Sequence, residues 1–144
     1  GSEMCIRDRA TYHGPGQLVG YPVTDLNRRG RDLHVYVTSL ENALIESCAR
    51  FGVAARIREG LVGVWVEDRK IASIGVGVKK WIAMHGFAIN LTRESLPPFL
   101  AITPCGIQDV QMTCLENEMP ASREKGELMR RFGDVFAEIW EKNS

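Results

Sequence analysis

The sequence has no excess of charge of either sign: across 144 residues, 18 Lys and Arg balance 18 Asp and Glu. Net charge therefore gives no reason to invoke nucleic acid or a membrane surface as partner. No apolar run approaches the roughly 20 residues that cross a bilayer, and the first residues lack the apolar stretch of a secretory signal. The four cysteines, Cys5, Cys48, Cys105 and Cys114, form no CxxC pair and no zinc-like spacing with the three histidines. Repeats and low-complexity tracts are also missing. In a non-secreted chain of this length reduced thiols are expected. These absences predict a cytoplasmic location, free thiols and no metal.

What remains is ordinary globular composition, 44% hydrophobic and 25% charged, enough for one domain with a real core. The leader "GSEMCIRDR" has no periodicity, and its Gly-Ser start has the look of a cloning remnant. A Gly14-Pro15-Gly16 turn then feeds an apolar stretch, Leu18 to Val23, that predicts a strand. From about Asp32 to Phe51 the residues Leu33, Val37, Leu40, Leu44, Cys48 and Phe51 recur at steps of three or four and predict a helix, stopped by Gly52. Four short β-like runs follow, "VAARI", "LVGVWV", "KIASIGVGV" and "MHGFAINL", with "EDR" as the hairpin turn between the second and third. After the proline-punctuated "SLPPFLAITPCG", Ser122 is positioned to cap a last helix with the stripe Leu128, Phe132, Val135, Phe136, Ile139 and Trp140. This order predicts an α+β fold with an antiparallel or mixed sheet.

Chemistry centres on the turn Pro104-Cys105-Gly106. A thiol becomes a nucleophile only where a cation or a helix N-terminus stabilises its thiolate. The available cations are His13, His34, His85, Lys70, Lys79 and Lys80. Lys70 follows a tight turn, and residue pattern alone reads it as a solvated strand-edge lysine. His13 and His85 each precede glycine, which suits a structural turn histidine or a place where backbone approaches a ligand. His34 reads as a surface residue and Cys48 as packing. Trp65, Trp81, Phe87 and Phe99 line a pocket or simply fill the core. Composition and periodicity stop there.

Three longer blocks, "TYHGPGQLVGYPV", "GVWVEDRKIASIGVGVKKWIAMHGFAIN" and "PPFLAITPCG", resemble in order the signature blocks of the lipoyl(octanoyl) transferases, over roughly Ala10 to Gly106. The resemblance implies a lipoate/biotin protein ligase-like fold of the class II aminoacyl-tRNA synthetase type, a mixed sheet with flanking helices. It implies transfer of an octanoyl group from octanoyl-acyl carrier protein, through a cysteine thioester, to a lysine of lipoyl domains. The acceptors are the lipoyl domains of 2-oxoacid dehydrogenases and the glycine cleavage H protein. No metal or nucleotide cofactor is implied, and the chain is expected to be monomeric. The thioester cysteine of the family falls on Cys105, and the lysine that lowers its pKa falls on Lys70, which replaces the edge-lysine reading. Acyl-substrate contacts fall on Arg9, Ala10, Thr11, Tyr12 and His13, on Ser73, Ile74 and Gly75, and on Gly86, Phe87 and Ala88. The carrier being acidic, Arg28, Arg29 and Arg31, or Lys79 and Lys80, are expected to receive it.

The match breaks upstream of this first block. Family members have a long N-terminal region there that ends in an Arg-Gly-Gly turn, whereas Ile6, Arg7 and Asp8 occupy those positions here. Residues 1–9 are accordingly expected to be a leader foreign to the family, and 10–144 a partial octanoyltransferase catalytic domain. The alternatives are an inert or partner-binding fragment of such an enzyme, and an ATP-dependent lipoate or biotin ligase. The ligase reading lacks a glycine-rich nucleotide loop in this sequence.

Overall fold

A computed structural model of the chain describes residues 15–22, 33–75, 78–79, 82–83, 86–96 and 111–143. The elements are β1 (Gln17–Gly20), α1 (Leu33–Ala49), β2 (Val64–Val66), β3 (Arg69–Ile74), β4 (Val78–Lys79), β5 (Ile82–Ala83), β6 (Phe87–Asn90), a short 3-10 turn (Arg93–Ser95), β7 (Gln111–Met112), α2 (Leu115–Glu118) and α3 (Leu128–Lys142). The main sheet runs β1-β6-β3-β2 with antiparallel pairing throughout. β7 joins it in parallel beside β3, at Arg69↔Gln111 and Lys70↔Met112, so the sheet is mixed. β4 and β5 pair separately.

The first helix follows its apolar stripe. Tyr36, Leu40, Leu44 and Cys48 are fully buried, and Tyr36 takes the buried place expected of the half-buried Val37. Gly52 ends the helix as expected: it takes the left-handed φ of +81° and donates its N–H to Ala49. α3 buries Leu128, Phe132, Phe136 and Ile139, and packs Val135 and Trp140 partly against the same core. Aromatic contacts join the layers: Phe87 of β6 lies 4.6 Å from Phe136, and Phe51 lies 5.6 Å from Phe132.

Three expectations change. "VAARI" forms no strand, only an isolated bridge from Arg56 to Trp65, because the chain turns away at Gly60 and leaves Ile57, Leu61 and Val62 exposed. Ser122 caps nothing: α3 begins six residues later at Leu128, after Glu127 takes a left-handed φ of 53°. The preceding turn is held by Arg131, whose guanidinium donates to the carbonyls of Glu124 and Gly126 at 2.8 and 2.9 Å. "KIASIGVGV" breaks after Ile74, and its last residue, Val78, belongs with the following Lys79 to the second sheet. β7 and α2 had no pattern of their own.

A polar seam fixes β7 against β3. Arg69 grips Glu118 with two bonds of 2.9 Å, and Thr113 donates to the same carboxylate at 2.5 Å. The carbonyl of Thr113 accepts from Asn90, which in turn accepts from Gln17 on β1. The buried members, Asn90 and Thr113, thus have their side-chain polar atoms paired.

Two predictions follow from these contacts. The bond from Arg69 holds the Glu118 carboxyl below the usual carboxylate range, against a smaller opposing effect of burial. A depressed folded-state pKa stabilises fully above the ordinary glutamate value of about 4.3 and ceases to do so as pH falls through the folded value. Urea midpoints should therefore drop on acidification below about pH 4.3. Glu118→Gln should cost about 1–3 kcal/mol at neutral pH and flatten that acid limb; an unchanged limb would show that the clamp does not bear on stability. The second concerns glycines. A Cβ on Gly86 would sit 1.7 Å from the Gly20 carbonyl oxygen, whereas one on Gly75 would meet nothing within 4 Å. Gly86→Ala should destabilise by about 3 kcal/mol and Gly75→Ala by no more than about 0.5 kcal/mol, as thermal unfolding of both variants will show.

Candidate active site around Lys70

The two-residue turn Glu67-Asp68, with Glu67 at a φ of 56°, reverses the chain so that Val66 pairs with Arg69 and Trp65 with Lys70. A register irregularity between Val64 and Trp65 accompanies the pairing. Lys70 is no edge residue: β2 lies on one side of it and β7 on the other, and its carbonyl accepts the Thr113 N–H at 2.9 Å. The edge-lysine pattern failed because the covering strand has only two residues.

Arg69 and Lys70 are adjacent cations with different surroundings. Arg69 takes Glu118 at 2.9 Å, Glu67 at 3.7 Å and Asp68 at 3.8 Å. No carboxylate among the described residues pairs with Lys70. Its Nζ lies instead 5.5 Å from the centre of the Trp65 ring, which also carries Arg58 at 5.8 Å. Trp65 is 5% exposed and supplies a buried wall beneath the ammonium. The lysine stem is confined on another side by Gly63, where a Cβ would stand 3.0 Å from Lys70 Cε. Gly63 in turn donates its N–H to Glu41 of α1 at 3.0 Å.

Two of the three segments expected to contact an acyl chain lie side by side. Ser73 pairs with Ala88 and Ile74 with Phe87, and Gly75 donates its N–H to the Gly86 carbonyl at 2.9 Å. They differ in what they offer. Ser73 and Gly75 are exposed and Ala88 is half-buried, so small side chains face open space there. Phe87 is 2% exposed and its ring belongs to the core, leaving only its backbone for a ligand. Gly86 owes its lack of a side chain to the Gly20 carbonyl, not to room for a substrate.

Both thiols described are unsuited to nucleophilic work. Burial pushes Cys48 up to about 12 and raises Cys114 as well, so both stay protonated at neutral pH. Cys48 packs in the core as expected. Cys105, Arg9, Ala10, Thr11, Tyr12, His13, His85, Trp81, Phe99, Lys80, Arg28, Arg29 and Arg31 lie outside the described residues, as does the leader. His34 is exposed at the start of α1. Among the described residues no group of three or more His, Cys, Asp or Glu is arranged to hold a metal ion, and no helix is long and apolar enough to cross a membrane. Residue pattern missed Glu41 and Gly63. The available signal was a carboxylate set between Leu40 and Leu44 on an otherwise apolar helix face.

Residues 9–137 match the profile of the lipoyl protein ligase A/B catalytic domain. An octanoyltransferase of Geobacter metallireducens is 60% identical over 126 residues, covering 88% of this chain and 59% of the relative. One from Clostridium kluyveri is 44% identical over 142 residues, covering 96% of this chain and 60% of the relative. The chain therefore spans about three fifths of the length of these relatives. Among solved structures, biotin protein ligase from Aquifex aeolicus in complex with biotin and ATP superposes with a TM-score of 0.61 at 15% identity, over 88% of this chain and 51% of that one. At that identity the likeness concerns fold alone: the biotin protein ligase-like, mixed α+β architecture. With nine tenths of its length matched by the family profile, the chain belongs to the lipoyl protein ligase A/B catalytic-domain family.

Proposed function

We propose that the chain carries the acyl-transfer centre of an octanoyltransferase, with Cys105 as nucleophile and Lys70 as its proton partner. The observation that carries this reading is the placement of Lys70: a half-buried ammonium inside the sheet, paired with no described carboxylate and next to the returning strand β7. β7 begins six residues after Cys105, and its Met112 pairs with Lys70. Seven residues of chain span at most ~25 Å, which tethers the thiol to the neighbourhood of the lysine.

The chemistry then runs in two steps. An ammonium near Cys105 favours the thiolate, and the Sγ attacks the carbonyl carbon of the octanoyl thioester on acyl carrier protein. The carbon–sulfur bond to the carrier breaks, and the carrier thiol leaves with a proton from Lys70. The neutral Lys70 amine next takes a proton from the acceptor lysine as its nitrogen attacks the Cys105 thioester. The amide forms, the bond to Sγ breaks, and both groups return to their starting charges. Acceptors are lipoyl domains of 2-oxoacid dehydrogenases and the glycine cleavage H protein, and the site works in the cytoplasm as a monomer. The open side of Ser73, Gly75 and Ala88 begins three residues along β3 from Lys70, about 10 Å at strand rise, and receives the acyl chain. Thr11, Tyr12 and His13, with Arg9 and Ala10, complete the contact set. The chemistry calls for neither metal nor nucleotide.

Incubation with octanoyl-acyl carrier protein followed by intact mass and peptide mapping tests this directly. One octanoyl group is expected, on Cys105. A chain that takes up no acyl group, or takes it on Cys48 or Cys114, refutes the assignment. The role of Lys70 has its own readout in the pH profile of iodoacetamide alkylation at Cys105. In Lys70→Met the thiol should return toward about 8.5, with neutral-pH alkylation falling about tenfold per unit regained and recovering at high pH. Superimposable profiles would remove Lys70 from the mechanism.

A further inference from the structure

Glu41 is the only buried carboxylate among the described residues, 6% exposed on a helix face otherwise given to Tyr36, Leu40, Leu44 and Cys48. Taking a carboxylate out of water is costly unless it is paired, and no described cation lies within ion-pair distance of it. Its hydrogen-bond partner is the Gly63 N–H, at 3.0 Å. Core packing alone would be served better by leucine at this position.

Gly63 explains the expense. Its φ of +140° is one that side-chain-bearing residues rarely adopt. A Cβ there would stand 2.9 Å from the Ala72 carbonyl oxygen, 3.0 Å from Lys70 Cε and 3.2 Å from the Trp65 ring. The Gly63 backbone is therefore in close contact with the lysine stem, immediately before the register irregularity at Val64 and Trp65. Trp65 confines the ammonium from its own side, at 5.5 Å. Lys70 thus runs between a backbone segment and an indole, and the backbone segment is anchored across the core by Glu41.

We infer that Glu41 is a positioning residue for Lys70: its carboxylate fixes the Gly63 backbone, and through it the direction in which the Lys70 ammonium points. The bond ties a helix of the layer behind the sheet to the backbone that borders the lysine stem, which suits a residue whose task is to hold geometry. The inference rests on the proposed role of Lys70, and the experiment separates the two.

The test uses the Cys105 alkylation profile together with stability, in Glu41→Leu, Glu41→Gln and Lys70→Met. Glu41→Leu fills the same volume on an apolar helix face but leaves the Gly63 N–H without its acceptor. It should fold and slow neutral-pH alkylation by about three- to tenfold, the loss that half to one unit of thiol shift produces. Glu41→Gln keeps an acceptor at the same reach and should stay within about twofold of the parent, less than a third of a pH unit. A purely structural Glu41 would change unfolding midpoints and leave the alkylation profile in place. If Lys70→Met shifts the profile and Glu41→Leu does not, the positioning role is wrong while the lysine assignment stands. If Lys70→Met itself shifts nothing, the underlying reading fails first, and this inference with it. Glu41→Gln matching Glu41→Leu would also overturn it, because the retained acceptor would then be irrelevant. Should Glu41→Leu not fold, Glu41→Asp, with its arm one methylene shorter, carries the same expectation. Hydrogen exchange gives a readout that needs no variant: the Gly63 amide should be strongly protected in the parent chain, and rapid exchange there would contradict the anchor.

Discussion

Arg69 and Lys70 are consecutive cations on one strand, and the fold treats them oppositely. Among the described residues, every carboxylate within reach at this end of the sheet, Glu67, Asp68 and Glu118, is taken by Arg69. Alternation along a strand sends neighbouring side chains to opposite faces, so the acids that neutralise one cation are kept from the other. The same clamp holds Thr113 and thereby β7 in parallel register beside Lys70. One interaction therefore closes the sheet and places Lys70 in its interior, between β2 and β7. An exposed ion pair is worth little to stability. The Arg69–Glu118 pair differs in being bidentate and in having a carboxylate 15% exposed, which is where charge-assisted bonds gain strength.

The rest of the architecture serves to make that end of β3 stiff. Phe87, Phe136, Phe51 and Phe132 weld the sheet to α1 and α3. The approach of Gly86 to Gly20 lets β1 and β6 close over Phe87 without a side chain intervening. Behind Lys70, Glu41 reaches from α1 to Gly63, so the first helix is tied to the backbone that borders the lysine stem. Stability and function are coupled through shared residues, as expected where a site is built on strands and supported from the helix layer.

Much of this was readable from residues. The stripes of α1 and α3 repeat at helical spacing over four turns, and tertiary packing agrees with them, so only their ends moved. The hairpin at Glu67-Asp68 was visible from its polar turn between two apolar runs. What escaped was short or non-local. β7 has two residues and α2 four, too few to show a period, and each exists because Arg69, Asn90 and Leu91 supply partners from elsewhere in the chain. "VAARI" has the composition of a strand, but Gly60 takes the chain away before a ladder forms. Ser122 was a suitable cap residue with no helix behind it, since Gly126 and the left-handed Glu127 delay the start. For the site, residue pattern read Lys70 as an edge lysine because its covering strand was invisible; only the resemblance of whole blocks singled it out. Gly75 and Gly86 look alike in sequence, yet one borders open space and the other is filled by backbone.

The central claim is that Cys105 and Lys70 meet. An amine-to-thiol cross-linker with a spacer of a few ångströms, applied to the folded chain and mapped by peptide mass spectrometry, asks this without relying on turnover. The account predicts a cross-link from Cys105 to Lys70 in preference to Lys79, Lys80, Lys125 or Lys142, lost on unfolding in urea. Cross-links from Cys105 to those other lysines alone, with Lys70 unmodified, would contradict it.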